Sequence, residues 1–497
     1  VAIVAAIVGT AAALLYARAG LTLTHYDARG HLVVARRVID SLTPGWQQIG
    51  AVWLPLPHAL NLLPVQVDSL YRSGASAVLL SVAAFAAAVA AIAWIVRRVT
   101  GSSSAAAAAA FVFIANPNVL YLQSTPMTEP LLLALMLMAV ALLIAWCDRT
   151  PELKLGPTTV GRPRHTVVGL AFALACLTRY EAWPVTACAM MAAVWAQARG
   201  GRTWADAVRG VLPLAIYPAA AALGFMIFSR IVVGEWLVAG GFFVPENEAL
   251  GRPAAAAGQL LVGVRTLGGT LTTVIGLVGL LALAARGLAL RERAAALVAV
   301  APVAAGALPW LAYFEGHPYR VRYMVPLLAA QAIGVGAAAS RWGRATPAAA
   351  LLLMTVAGVE LAPTYGAVPM AVEAQWDVAH AEARQAVTAC LERGYDYTTI
   401  MSSMGSLGHY MQALSRSGFD LREFLHEGNG DIWLAALDGP RPYAGWLMIE
   451  EQAEGGDMLA GRARENPTFL EGFSRVCEGG GVALYRRTSA TNVMNDR

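Results

Sequence analysis

The sequence carries little charge: 14% of its 497 residues are Asp, Glu, Lys or Arg, against 57% hydrophobic residues and a mean hydropathy of +0.55. A soluble core of this size does not need so many apolar residues, so much of the apolar surface must face lipid. Lysine is nearly absent, every basic residue but Lys154 being Arg. No basic run with interleaved aromatics occurs, which excludes a surface that tracks nucleic acid. The five cysteines have no metal-ligand spacing. Cys147, Cys176 and Cys188 fall in apolar stretches and read as small packing residues. Cys390 and Cys477 lie in a polar tail, as free thiols or as one disulfide. If they are neighbours, an oxidising compartment joins them, and Cα atoms more than about 7 Å apart exclude the bond. An initiator Met is also lacking, so a stretch upstream of Val1 is expected to be missing. Ala17-Arg18-Ala19 fits a signal-peptidase site superficially, but an uncleaved first span is the better reading of the loop that follows.

A bilayer-crossing helix needs about 20 apolar residues. That ruler places spans at Val1–Ala17, Ala75–Val96, Ser103–Leu122, Pro130–Cys147, Thr166–Thr178, Ala182–Ala198 and Val211–Val233. It adds Gln259–Ala285, Ala294–Phe314, Tyr323–Ser340 and Ala345–Ala362, about eleven in all. Every second loop is short and Arg-rich: Arg97-Arg98, Arg149 to Arg164, Arg199 to Arg209, Arg286 to Arg293, and Arg341 with Arg344. Positive loops stay in the cytoplasm, so these are read as cytoplasmic, although Arg18, Arg29, Arg36, Arg37 and Arg72 fall on the other side. The first loop, 20–74, and the tail from Pro363 are then outside.

The expected architecture is a polytopic α-helical membrane domain over 1–362 and a C-terminal soluble α/β domain over 363–497. In the tail, Glu373–Arg393 has helical spacing, and Gly455–Glu465 reads as a helix. Thr398–Ser402, Ile432–Leu437, Trp446–Glu450 and Val482–Arg486 read as short strands or apolar runs bounded by turn residues. Gly405, Gly408, Gly428–Gly430 and Gly479-Gly480-Gly481 form no phosphate-binding fingerprint, and the tail shows no catalytic motif.

Reactive residue types collect at span ends. His25-Tyr26-Asp27-Ala28-Arg29-Gly30-His31 follows the first span, and the same loop ends in Trp53-Leu54-Pro55-Leu56-Pro57-His58. Asp27 there suits a general base on a hydroxyl, or else caps a helix. Glu129, in Met127-Thr128-Glu129-Pro130, opens a span as a second acid facing the outer cavity, or as a carboxylate favoured by the helix dipole. Arg179-Tyr180-Glu181 interrupts two apolar stretches, where charges are costly unless paired or wetted; a self-contained ion pair and a substrate site are the two readings. His317, Tyr319, Arg320 and Arg322 occupy one short outer loop, and forked guanidinium groups suit phosphate as well as headgroup anchoring. His58 alone lacks the companions of a metal site. Phe242-Phe243-Val244-Pro245-Glu246-Asn247-Glu248 serves equally as a lid, an acceptor contact or an ordinary loop.

In this layout the sequence resembles the GT-C superfamily of membrane glycosyltransferases, and bacterial relatives of protein O-mannosyltransferases and aminoarabinose transferases in particular. The segments that carry the resemblance are Tyr26-Asp27-Ala28-Arg29-Gly30-His31, Met127-Thr128-Glu129-Pro130, Arg179-Tyr180-Glu181 and Arg320-Val321-Arg322-Tyr323-Met324-Val325-Pro326. The resemblance implies inverting transfer of a sugar from a polyprenyl-phosphate donor to a hydroxyl of a lipid, glycan or protein, outside a bacterial inner membrane. Asp27 would be the base, with Glu129 and then Glu181 as the next candidates. Arg29, His31, His58, Arg179, Tyr180, His317, Tyr319, Arg320 and Arg322 would contact substrates, and Arg320 with Arg322 would steady the leaving phosphate. The base and this clamp are expected to face one cavity about 6–10 Å apart, by analogy with inverting glycosidases. The family often shows two adjacent acids where this chain has Asp27-Ala28, so a divalent metal stays open but is not indicated, and no cofactor is certain. A transporter would show charges at mid-membrane on broken helices and inverted repeats, and neither is evident. A non-catalytic GT-C-like subunit of a membrane complex, docked through its tail, is the other alternative. The topology is tested by a cysteine introduced near Asp457. It should react with an impermeant maleimide on intact cells, and protection there would put the tail in the cytoplasm.

Overall fold

Ala- and Leu-rich stretches favour the helix, and in lipid the backbone has no partner but itself. In the computed structural model, six helical stretches among the described residues are long and apolar enough to cross a membrane. They are Ala75–Thr100, Glu129–Cys147, Trp204–Val232, Thr270–Ala289, Arg293–Phe314 and the composite Val321–Ala374. Ala2–Arg18, Ser103–Ile114 and His165–Cys176 are shorter apolar helices. The structure describes residues 1–148, 153–154, 159–160, 163–238, 247–375, 377–452 and 456–488. Arg149, Arg162, Gly455, the Phe242–Glu246 part of the candidate lid, and the side chains of Lys154 and Arg291 lie outside them.

The stretches of the sequence ruler are partly broken, and each break is satisfied by polar side chains. Ser103–Leu122 divides at Asn116, whose side chain accepts from the amides of Asn118 (2.9 Å) and Val119 (3.3 Å) ahead of Pro117. Gln259–Ala285 is not one span: Pro253–Gly268 and Thr270–Ala289 meet at Gly269, whose φ of +82° disfavours any side chain. The open carbonyls of the first piece accept from Asn116 (2.8 Å), Asn118 (3.1 Å) and Gln331 (3.0 Å). The open amides of the second donate to Glu360, at 2.7 Å from Leu271 and 2.8 Å from Thr272. Gly279 and Gly334 let Thr270–Ala289 and Val325–Ala339 approach backbone to backbone, the small-residue contact that packs helices in lipid.

Residues 377–488 build a five-stranded sheet in the order Phe424–Leu425, Ile400–Ser402, Trp446–Glu450, Val482–Arg487, Phe473–Gly479. The first three strands are parallel and the last two antiparallel. Alternation sends Ile400, Trp446 and Met448 to one face, and Met401, Leu447 and Ile449 to the other. Cys390 and Cys477 are joined in a disulfide, with Cα atoms 6.6 Å apart. Ile432–Leu437 is helical, within Asp431–Asp438, because its burial has helical spacing: Trp433 and Ala436 are buried while Ile432 and Leu434 are exposed. Glu373–Arg393 is three short helices rather than one, and the helix in Gly455–Glu465 begins at Met458 behind its cap Asp457. Val368, Met370, Ala371 and Ala374, beyond the expected boundary at 362, pack into the core of the helical bundle.

The segment between the first two apolar helices and the sheet share one core. Leu32, Val33, Val65 and Tyr71 pack with Leu407, Met411 and Leu414 of the helix Met404–Leu414. Around that core, Gln48 donates to the Gly428 carbonyl (2.8 Å), Gln412 to that of Tyr71 (3.0 Å), and Asp40 accepts from the amides of Leu421 (3.3 Å) and Arg422 (3.2 Å). Glu360→Ala should cost about 1–2 kcal/mol by exposing helix-start amides, as loss of a cap does. Thermal unfolding in detergent measures it, and an unchanged melting temperature would deny Glu360 that role.

Candidate functional site

Tyr26–Arg36 starts where the imidazole of His25 accepts from the Asp27 amide (3.1 Å). His25 is therefore the cap, and Asp27 is free of that duty. One side of the helix carries Leu32 and Val33 into the shared core; another turns Asp27 and His31 into a cavity of about 680 Å³. His58, Thr128, Thr178, Arg179, Tyr180, Glu181, Glu315, His317, Arg322 and Tyr323 add to its polar wall, and Leu250, Leu308 and Leu311 line an apolar side.

Asp27 and Arg322 form a direct ion pair, with side chains 8% and 11% exposed. The expected gap between base and clamp is thus absent: opposite charges with little water around them close on each other. Burial by itself would raise the Asp27 carboxyl, but Arg322, aided by His25 and His31, overrides it and holds the group well below the usual carboxylate range. The Arg322 guanidinium also lies 5.2 Å from the Tyr323 ring centre. Burial, reinforced by Arg322, pushes His25 down to about 3. His317 lines the same wall, with Nδ1 3.0 Å from the Pro318 carbonyl.

A second charged group borders the cavity. Arg179 grips Glu181 with Nε (3.0 Å) and Nη2 (2.8 Å), donates to Thr128 (3.1 Å), and lies 3.0 Å from Glu129. Glu129 is wholly buried beneath this arginine and does not line the cavity, because the first turn of its helix points into the bundle. Tyr180 donates to the Ala51 carbonyl (3.4 Å). The His31 ring lies tilted against Trp53, with ring centres 4.2 Å apart, and meets His58 at 3.0 Å.

Besides Glu129, three candidates lie off the cavity. Arg29 donates to the Leu23 carbonyl (2.6 Å), on the side of its helix that faces Asp377, Arg384 and Arg416. Tyr319 packs against Tyr313 with ring centres 5.6 Å apart. Arg320 is in extended backbone just before the turn Val321–Met324 and is not among the described residues that line this cavity. Thr128, Trp53 and Tyr323 join the site from segments the sequence had marked, and only packing shows that they reach it. Among the described residues no three His, Cys, Asp or Glu side chains gather to hold a metal ion.

Arg322→Met leaves the Asp27 carboxylate buried without its cation, at a cost of about 3–5 kcal/mol at pH 7. In the wild type a depressed carboxyl keeps its full contribution above about pH 4 and loses it only as pH falls through the lower folded value. In the variant burial raises Asp27 instead, so the deficit should shrink between pH 7 and pH 5 as the carboxyl takes up a proton. Thermal unfolding at the two pH values measures this, and a constant gap would show that the pair does not bind these elements together.

No family model and no curated protein sequence matches the chain. Solved structures do. The fold is similar to that of ArnT from Cupriavidus metallidurans, crystallised in the apo state, with a TM-score of 0.60 and 11% identity over 96% of this chain and 97% of that one. It is also similar to the oligosaccharyltransferase of Archaeoglobus fulgidus, solved with zinc and sulfate, with a TM-score of 0.52 and 12% identity over 99% of this chain and 74% of that one. The chain shares its fold with these two structures.

Proposed function

We propose that this protein is a glycosyltransferase that moves a sugar from a polyprenyl-phosphate donor to an acceptor hydroxyl, with inversion, on the extracytoplasmic side of a bacterial inner membrane. The observation that carries the reading is the Asp27–Arg322 pair at the wall of a cavity with one polar and one apolar side. The apolar side suits a polyprenyl chain, and the polar side suits a phosphate and a sugar. The Cys390–Cys477 disulfide supports an oxidising compartment for the sheet, and the Arg-rich loops support a cytoplasmic opposite face.

Arg322 cannot hold Asp27 and a donor phosphate equally well. An arriving phosphate competes for the guanidinium, which offers it a bidentate, permanently charged partner. Asp27, released from the cation, rises under burial and becomes a better base as the donor arrives. It then removes the acceptor proton while the oxygen attacks the anomeric carbon and the phosphate leaves with its bonding electrons. Arg322 meets the charge that grows on the phosphate, an electrostatic contribution usually larger than that of the base. Arg179, fixed by Glu181 and Glu129, holds the opposite wall in place. The acceptor is a hydroxyl of a lipid, glycan or protein in this reading.

Purified protein supplied with lipid-linked sugars extracted from the source membranes tests the reading. Asp27→Asn should lower transfer by at least about 10²-fold, the lower range for a general base, while still binding donor. Arg322→Ala should weaken donor binding and turnover together. Transfer by Asp27→Asn at the wild-type rate would remove Asp27 as the base.

A further inference from the structure

The turn Val321–Met324, which carries Arg322, runs straight into the helix Val325–Ala339. The first amides of such a start have no partner within the helix. Arg320, at the cap position, has no side-chain oxygen to offer them. The acceptor comes instead from Glu373, 52 residues on, whose Oε2 takes the Val321 amide at 2.9 Å. The carbonyl of the same peptide, that of Arg320, accepts from the Tyr313 hydroxyl at 2.9 Å. The peptide one residue before Arg322 is thus held by both its polar groups.

Glu373 is itself firmly placed. It belongs to the short helix Pro369–Ala374, whose Met370, Ala371 and Ala374 are buried in the bundle core. The Met370 amide also donates to the Asn118 side chain at 3.1 Å. Four residues after Glu373, Asp377 meets Arg384 (2.8 Å) and His409 (2.9 Å), and the His409 ring lies against Tyr26, the neighbour of Asp27. Two acids close in the chain therefore reach the two members of the Asp27–Arg322 pair: Glu373 through the Val321 amide, Asp377 through His409 and Tyr26. The second oxygen of Glu373, Oε1, is buried without a hydrogen-bond partner among the described residues, which is costly for a carboxylate. The charge of Arg322 acts on it across space and offsets that cost, while the direct contact of Arg322 stays with Asp27.

We propose that Glu373 is a positioning residue of the site: by holding the Arg320–Val321 peptide it sets where the Arg322 guanidinium stands, and so how well the cavity takes up a phosphate. The inference rests on the glycosyltransferase reading, in which Arg322 exchanges Asp27 for the donor phosphate. A guanidinium makes two parallel bonds to a phosphate only when its fork faces the oxygens, so freedom in the turn costs affinity. What the site needs from Glu373 is an acceptor for the amide. Its negative charge, by contrast, opposes that of an arriving phosphate.

Three forms of the full-length protein in lipid nanodiscs test this: the wild type, Glu373→Leu, which removes the acceptor, and Glu373→Gln, which keeps it without the charge. The probe is undecaprenyl phosphate, free of sugar, compared with undecaprenol, the same chain lacking the phosphate. Glu373→Leu should weaken undecaprenyl phosphate about 10-fold, the contribution of one charge-assisted hydrogen bond, and leave undecaprenol binding unchanged. Glu373→Gln should bind the phosphate at least as tightly as the wild type does. Hydrogen exchange at the Val321 amide should be slow in the wild type and Glu373→Gln, and faster in Glu373→Leu. If Glu373→Leu does not fold, Glu373→Asp, one methylene short of the amide, takes its place with the same expectation. A lower melting temperature with unchanged phosphate binding would make Glu373 a helix cap alone and overturn the proposal. An equal loss for undecaprenol, or no rescue by Glu373→Gln, would overturn it too. A wild type that does not prefer undecaprenyl phosphate to undecaprenol would instead sink the reading of Arg322 as a phosphate site, with hydrogen exchange still deciding whether Glu373 holds the turn.

Discussion

An aspartate and an arginine nearly out of reach of water cannot both stay charged unless they meet. The pairing of Asp27 with Arg322 ties the helix Tyr26–Arg36 to the turn that opens Val325–Ala339, almost 300 residues further along the chain. The rest of the cavity takes its shape from that contact. Thr128, Arg179 and Glu181 stand on one wall, and His317 and Tyr323 arrive with the loop that delivers Arg322. A pair so placed is costly as a device for stability alone, since apolar residues would fill the same space without desolvating two charges. Its value lies in being exchangeable: a phosphate can replace the carboxylate as the partner of Arg322.

The helix that bears Asp27 is held from both sides. Its apolar side is part of the core it shares with the sheet, and Tyr26 adds a hydrogen bond to the Gly405 carbonyl and a ring contact with His409 at 5.0 Å. Behind it His409, Asp377, Arg384 and Glu450 form a buried ionic group, with Arg384 2.8 Å from each of the two carboxylates. The sheet thus gives a loop helix the rigidity that a catalytic carboxylate needs for its placement. Interrupted membrane helices obey the same economy of polar groups: Asn116, Asn118, Gln331 and Glu360 each answer a backbone group that lipid could not.

Charge and apolar runs were enough to read off a helical membrane protein and to mark the segments around Asp27, Glu129, Arg179 and Arg322, because charges at the edge of a bilayer are rarely without a task. Sidedness of individual residues was not readable in this way. Arg29 sits two residues from the cavity-lining Asp27 and His31, yet it donates to the Leu23 carbonyl off the cavity. Ile432–Leu437 is a short apolar run that becomes a helix, with Trp433, Ala436 and Leu437 packed against the sheet and Ile432 and Leu434 exposed. The break at Gly269 depends on Glu360, which is 91 residues away in the chain.

What the sequence by itself determined is what depends on solvent: which stretches enter lipid, which remain polar, and where ionisable groups concentrate. Hydrophobicity acts on each stretch separately, so a linear pattern records it. Only the tertiary structure decided which charges become partners, and that the first loop and the tail fold over one core. Those outcomes depend on groups distant in the chain meeting at about 3 Å, where a shift of one residue or one rotamer changes the partner.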